Sequence, residues 1–267
     1  MECGKDLKRI ALGIQYDGAP WSGWQTQPNG RTVQDRLQAA IAEFTKAGIS
    51  VTCAGRTDAG VHAIEQVVHL DTELEREPIS WVRGLNSFLP PSIAVRWACE
   101  VPRDFHARSS ARARCYKYVL YNHPIRSPLQ HGKVGWTFRP LALEPMQQAA
   151  QYLLGEHDFS AFRAAACQAF TPVKTMHEVH IEQRGSLFIF TLRGNAFLHH
   201  MVRNIVGSLL YVGKGDYPPQ WMDQVLQGRD RNHAAPTFMP DGLYLSKVTY
   251  DEKWNLPQED SDLSLWL

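Results

Sequence analysis

Residues 53–63 read CAGRTDAGVHA and hold a single carboxylate, Asp58. Arg56 precedes it by two residues, His62 follows by four, and Gly55 and Gly60 flank the group. A nearby guanidinium favours an ionised carboxylate, which suits a nucleophile or a base. The structural alternative is an Asx turn, in which the aspartate bonds its own backbone and pairs locally with Arg56. Neighbouring residues narrow the chemistry. No Gly-Lys-Ser/Thr follows the glycines, so this is not a phosphate-cradling loop. No second aspartate occupies a matching turn, as a proton-sharing dyad requires. His62 and His69 do not form a metal-binding pair on one helix turn, and the expectation is no metal.

Two further segments could accompany Asp58. From Arg103 to Arg126 the chain carries Arg103, Arg108, Arg112, Arg114, Lys117 and Arg126 against one acid, Asp104. Within it, Arg114, Tyr116 and Tyr118 fall on one side of a strand. Cations neutralise phosphates while aromatic rings stack on unpaired bases, so the zone points to nucleic acid. A solvated charged face, or tyrosines that merely pack, is the bland alternative. The second segment is a helix expected from Phe197, placing His199 and Arg203 on one face. Arg203 stands among Met201, Val202, Ile205 and Val206, so it should need a carboxylate partner, and Asp58 is a candidate.

The elements that must position these residues follow from periodicity. RIALGIQY alternates as a strand with one buried face. A helix starts at a Thr32 cap with Asp35 completing a capping box, and Gly48 should end it. ISVTCA, EQVVHL and IAVRWACEV read as strands, with a short helix from near Ser80 to before Pro90. The second half supplies a strand in CYKYVLYN, a helix in EPMQQAAQYLL and a hairpin across Arg184-Gly185. A helix near Trp221–Leu226 and a last strand in GLYLSKVTY complete it. The mixed order predicts an α+β protein of two lobes, residues 1–104 and 105–267, with largely antiparallel sheet.

The chain has 267 residues and a formal net charge of +1. Its five cysteines are scattered and odd in number, against a disulfide framework. No stretch is long and apolar enough for a membrane span, and the N-terminus lacks a secretory signal, so a cytoplasmic protein is expected.

Taken together, several segments resemble the tRNA pseudouridine synthase A family. They are IALGIQYDG, GWQ, GRTDAGVHA, DFHAR, YKYVLYN, DFSAFRA, NAFLHHMVRNIVGSLL and GLYL, in that order. The resemblance runs from about residue 8 to residue 250. It implies the pseudouridine synthase fold with an active-site cleft between the lobes. It also implies an isomerase that converts uridine to pseudouridine in the anticodon stem-loop of tRNA by acting on a flipped-out base. In that family's terms Asp58 is the catalytic aspartate, and Tyr116 lies against the target base. Arg56 and Arg203 are the neighbouring basic residues. Phe105, His106, Ala107, Arg108 and Ser109 form one RNA-contacting loop. Ala166, Cys167, Gln168, Ala169 and Phe170 fall in a second. The resemblance further implies a homodimer with no metal or organic cofactor. A non-catalytic RNA-binding protein, and more remotely an aspartate-dependent esterase, are the alternatives.

Overall fold

The computed structural model describes residues 7–165 and 167–258. By compactness the chain forms two units, one of residues 1–112 with 245–267, the other of residues 113–244.

The first unit opens with β1 (Lys8–Tyr16), α1 (Val33–Thr45), β2 (Thr52–Cys53), β3 (His62–Thr72), α2 (Pro78–Phe88) and β4 (Ile93–Val101). β1 lies antiparallel between β3 and β4, and β2 pairs antiparallel with β3. β1 was expected to bury one face through Ile10, Leu12 and Ile14. It buries both, because Ala11 is also fully enclosed and Gly13 leaves room for the Trp97 indole. Thr32 caps α1 as expected, its Oγ1 accepting the Asp35 N–H at 3.2 Å. The helix stops earlier than Gly48, at Thr45, because Lys46 turns left-handed at φ 57°. Pro78 at the first turn of α2 sets its start, ahead of the expected Ser80. Phe44 of α1 meets Trp81 of α2 edge-on at 5.1 Å.

The second unit takes up most of β5 (Ala111–Asn122) and contains β6 (Gly135–Thr137), α3 (Leu143–Gln151), β7 (Gly155–Asp158), β8 (Val173–Arg184), β9 (Leu187–Gly194), α4 (Met201–Gly213) and α5 (Trp221–Gly228). Strand order is β5-β9-β8-β7, all antiparallel, and β6 runs parallel to β5. The β8–β9 hairpin turns at Gly185, φ +60°, where sequence placed it. Almost every side chain of α4 is buried. Within it Asn204 donates to the Phe162 carbonyl at 2.8 Å and accepts from Thr237 at 2.7 Å and from Arg231 at 3.2 Å. The chain returns to the first unit along β10 (Leu243–Tyr250), which neighbours β3.

The α+β class with largely antiparallel pairing is therefore the observed one. Among the described residues no helix is long and apolar enough to cross a membrane.

Candidate active site

The Asp58 turn links β2 to β3 and is held from two sides. On one side the Ala54 N–H bonds the Val67 carbonyl at 2.8 Å, and the fully buried Gln66 amide bonds the Gly55 backbone in both directions. Thr57 points inward, its hydroxyl 2.7 Å from that of Tyr16. The Val61 N–H closes the turn onto the main-chain carbonyl of Asp58 at 3.1 Å, with Gly60 at φ +79°. On the other side residues 17–24 press their backbone against it. The Trp24 N–H bonds the Thr57 carbonyl at 3.0 Å, and the Gly60 N–H bonds the Trp21 carbonyl at 3.3 Å. Gly23 sits at φ +93°, and a side chain there would meet the Thr57 oxygen at 2.8 Å. The result is alternation in the turn: Arg56 exposed, Thr57 buried, Asp58 half-buried.

The loop 105–109 divides into anchors and presented residues. Phe105 is fully buried against Tyr250 and Trp254, each ring 5.3 Å away. Ala107 is also buried; its N–H bonds Nδ1 of His69 at 3.1 Å and its carbonyl accepts from the Tyr250 hydroxyl at 2.6 Å. His106 Nδ1 accepts the N–H groups of Arg108 and Ser109, both at 3.2 Å. That leaves Arg108, Ser109 and part of His106 facing solvent. Arg108 also bonds the thiol of Cys53, whose pKa burial pushes up. Arg9 ties β1 to the loop, donating to the Arg103 carbonyl at 2.6 Å and the Phe105 carbonyl at 2.8 Å. Sequence reasoning missed His69. Burial, with Arg9 and His106 adding to it, lowers its pKa to about 4, so at neutral pH its Nδ1 is an acceptor.

In the second unit, Tyr116 stands opposite Leu192 and is 8% exposed. Phe197 packs on its ring edge-to-face at 5.0 Å. Tyr118, its neighbour on the same side, is a packing residue: fully buried, its hydroxyl donates to the Met239 carbonyl at 2.9 Å. Arg203 is half-buried on α4, and its Nε donates to the Phe238 carbonyl at 2.8 Å. The shared helix face expected for His199 and Arg203 is not there. α4 starts at Met201, because His200 is left-handed at φ 62°. His199 therefore precedes the helix, and its N–H meets the Cys167 sulfur at 3.4 Å.

Of the second expected RNA loop, Ala166 lies outside the described residues. Arg163 donates to the Cys167 and Ala169 carbonyls at 2.6 and 3.1 Å, folding the segment around its guanidinium. Burial alone would raise the Cys167 thiol pKa, but the Ala169 and His199 N–H groups and Arg163 bring it below its usual value. Gln168 is exposed and Phe170 wholly so.

A family model described as tRNA pseudouridine synthase matches residues 13–108 and 149–251. The chain belongs to the tRNA pseudouridine synthase family. It is 65% identical over 267 residues to a tRNA pseudouridine synthase A of Janthinobacterium sp. (strain Marseille), covering 98% of each chain. The protein of that name from Herminiimonas arsenicoxydans is 64% identical over 263 residues, 97% of this chain and 96% of the relative. That from Ralstonia nicotianae is 57% identical over 264 residues, again 97% and 96%. The family match takes in Arg56, Asp58, the loop as far as Arg108, Cys167–Phe170 and Arg203, while Ser109 and Tyr116 fall between its two blocks.

Proposed function

We propose that this protein isomerises uridine to pseudouridine in the anticodon stem-loop of tRNA, with Asp58 as the nucleophile. The reaction breaks the bond from N1 of uracil to C1′ of ribose, turns the base and joins C5 to C1′. C5 gives up a proton and N1 gains one, so no atom or electron is consumed. Asp58 acts covalently on the sugar carbon or on C6 of the ring. Tyr116 lies against the base and assists removal of the C5 proton, and Arg56 and Arg203 keep the carboxylate ionised and hold the nucleotide. Arg108 and Ser109, with Cys167–Phe170, contact the RNA around a base taken out of its stack, at a cost of a few kcal/mol. The working form is a homodimer in the cytoplasm.

The observation that carries this reading is the turn itself. The half-buried Asp58 sits on a turn fixed by backbone pressing on backbone, the rigidity that a nucleophile's geometry demands. The experiment is to map pseudouridine in tRNA treated with wild type and with Asp58→Ala; mass alone would miss an isomer. Product with the variant, or none with wild type, would refute the reading. Light scattering should give about twice the chain mass of 30.3 kDa.

A further inference from the structure

The far end of α4 carries a surface that the reaction leaves unexplained. Tyr217 and Trp221 stack at 4.2 Å with planes 14° apart, and Tyr211 lies nearly parallel to both, at 6.1 and 6.2 Å. Tyr217 is 43% exposed, and the other two rings are half-buried. The Lys214 ammonium stands 5.4 Å from the Tyr211 centroid. Beside it Arg139 forms a two-bond pair with Asp216, at 2.7 and 3.1 Å. Both oxygens of Asp216, which attracts Lys214, are thereby held by Arg139. Among the described residues, Lys214, the Tyr211 and Tyr217 hydroxyls and the Trp221 indole N–H make no side-chain hydrogen bond or ion pair. Partial burial, with Arg139 adding to it, lowers the Lys214 pKa despite the attraction of Asp216.

A stack of near-parallel rings with a lysine ammonium at its side matches an unpaired nucleotide, whose base offers a π-face and whose phosphate offers the charge. We infer that Tyr217 and Trp221, with Lys214, form a stacking platform for an unpaired nucleotide of the RNA substrate. The inference rests on the proposed action on tRNA for its choice of partner.

The test measures affinity for a short labelled oligoadenylate and for unmodified tRNA by fluorescence anisotropy, with circular dichroism as the check on folding. Tyr217→Ala should weaken binding of both about tenfold, while Tyr217→Phe keeps it. Lys214→Ala should lower the salt dependence of binding by about one phosphate contact. Unchanged oligonucleotide affinity in Tyr217→Ala would overturn the platform. So would a change of particle mass on that substitution, which would mean that a second copy covers the rings. If wild type forms no pseudouridine while Tyr217→Ala still loses oligonucleotide binding, the isomerase reading falls and the platform stands. If wild type forms pseudouridine and Tyr217→Ala binds as well as wild type, the platform falls and the isomerase reading stands.

Discussion

A methyl group on Gly18 would lie 1.9 Å from the carbonyl oxygen of Val61, so no side chain fits between those two backbones. Gly18→Ala must therefore push the 57–61 turn away from residues 17–24. A shift of about 1 Å in a reacting group costs on the order of 100-fold in rate. Gly18→Ala should retain its circular dichroism spectrum and lose pseudouridine formation by about that factor. Full activity would show that the Asp58 turn tolerates displacement.

His69 predicts a pH dependence of stability. Its folded pKa of about 4 lies below the ordinary 6.5, so the unfolded chain binds a proton that the folded one refuses. The stability this residue contributes is complete above about pH 6.5 and is lost as pH falls toward 4. Urea unfolding should give a loss of stability between pH 7 and pH 5 that is smaller in His69→Gln than in wild type. Equal losses would remove His69 as the source. At pH 7 a variant without an acceptor, His69→Leu, leaves the buried Ala107 N–H unpaired and should cost about 1–3 kcal/mol.

Asn204→Leu keeps the branched outline of the side chain but strands the Phe162 carbonyl, the Thr237 hydroxyl proton and one Arg231 N–H inside the second unit. The expected destabilisation is on the order of 3 kcal/mol, read as a lower urea midpoint. Thr237→Ala, which removes the bond given to Asn204 and the one accepted from Arg231, should cost about 2 kcal/mol.

Tyr116 separates packing from chemistry. Tyr116→Phe keeps the ring contact with Phe197, and release of tritium from C5-labelled uridine should fall by about 100-fold or more. Tyr116→Ala should also lose about 3 kcal/mol of stability. Wild-type tritium release in the phenylalanine variant would confine Tyr116 to packing.

The parts that sequence made legible are those with a period. The Thr32–Asp35 cap, the β8–β9 hairpin and IAVRWACEV as β4 occupy the positions that their residues dictate. Short or polar elements escaped: β6 has three residues, and β7, GEHD at the end of its strand order, buries none fully. Small residues also misled, since Ala11 and Gly13 carry no hydrophobic signal yet face packed neighbours. The start of α4 was hidden because Phe197 and Leu198 continue the helical spacing across the left-handed His200. For the candidate site, CAGRTDAGVHA announced a turn with one acid. What braces it did not show, because the support is backbone from residues 17–24, marked in sequence only by Gly18 and Gly23. Phe105 and Ala107 illustrate the same limit: an RNA-loop motif says nothing of which members face inward.

The first unit is interrupted in sequence, leaving at Arg112 and resuming at Leu245. On the ribosome, β1, β3 and β4 emerge early, yet the β3 edge that β10 will occupy stays open until the whole of residues 113–244 has been made. An open strand edge is a template for mispairing with another chain. The continuous second unit can complete its own hairpin and helices during that wait. The nascent first unit is thus the part of this protein with the longest need of a chaperone, and a stall in translation before Leu243 should yield an aggregation-prone product.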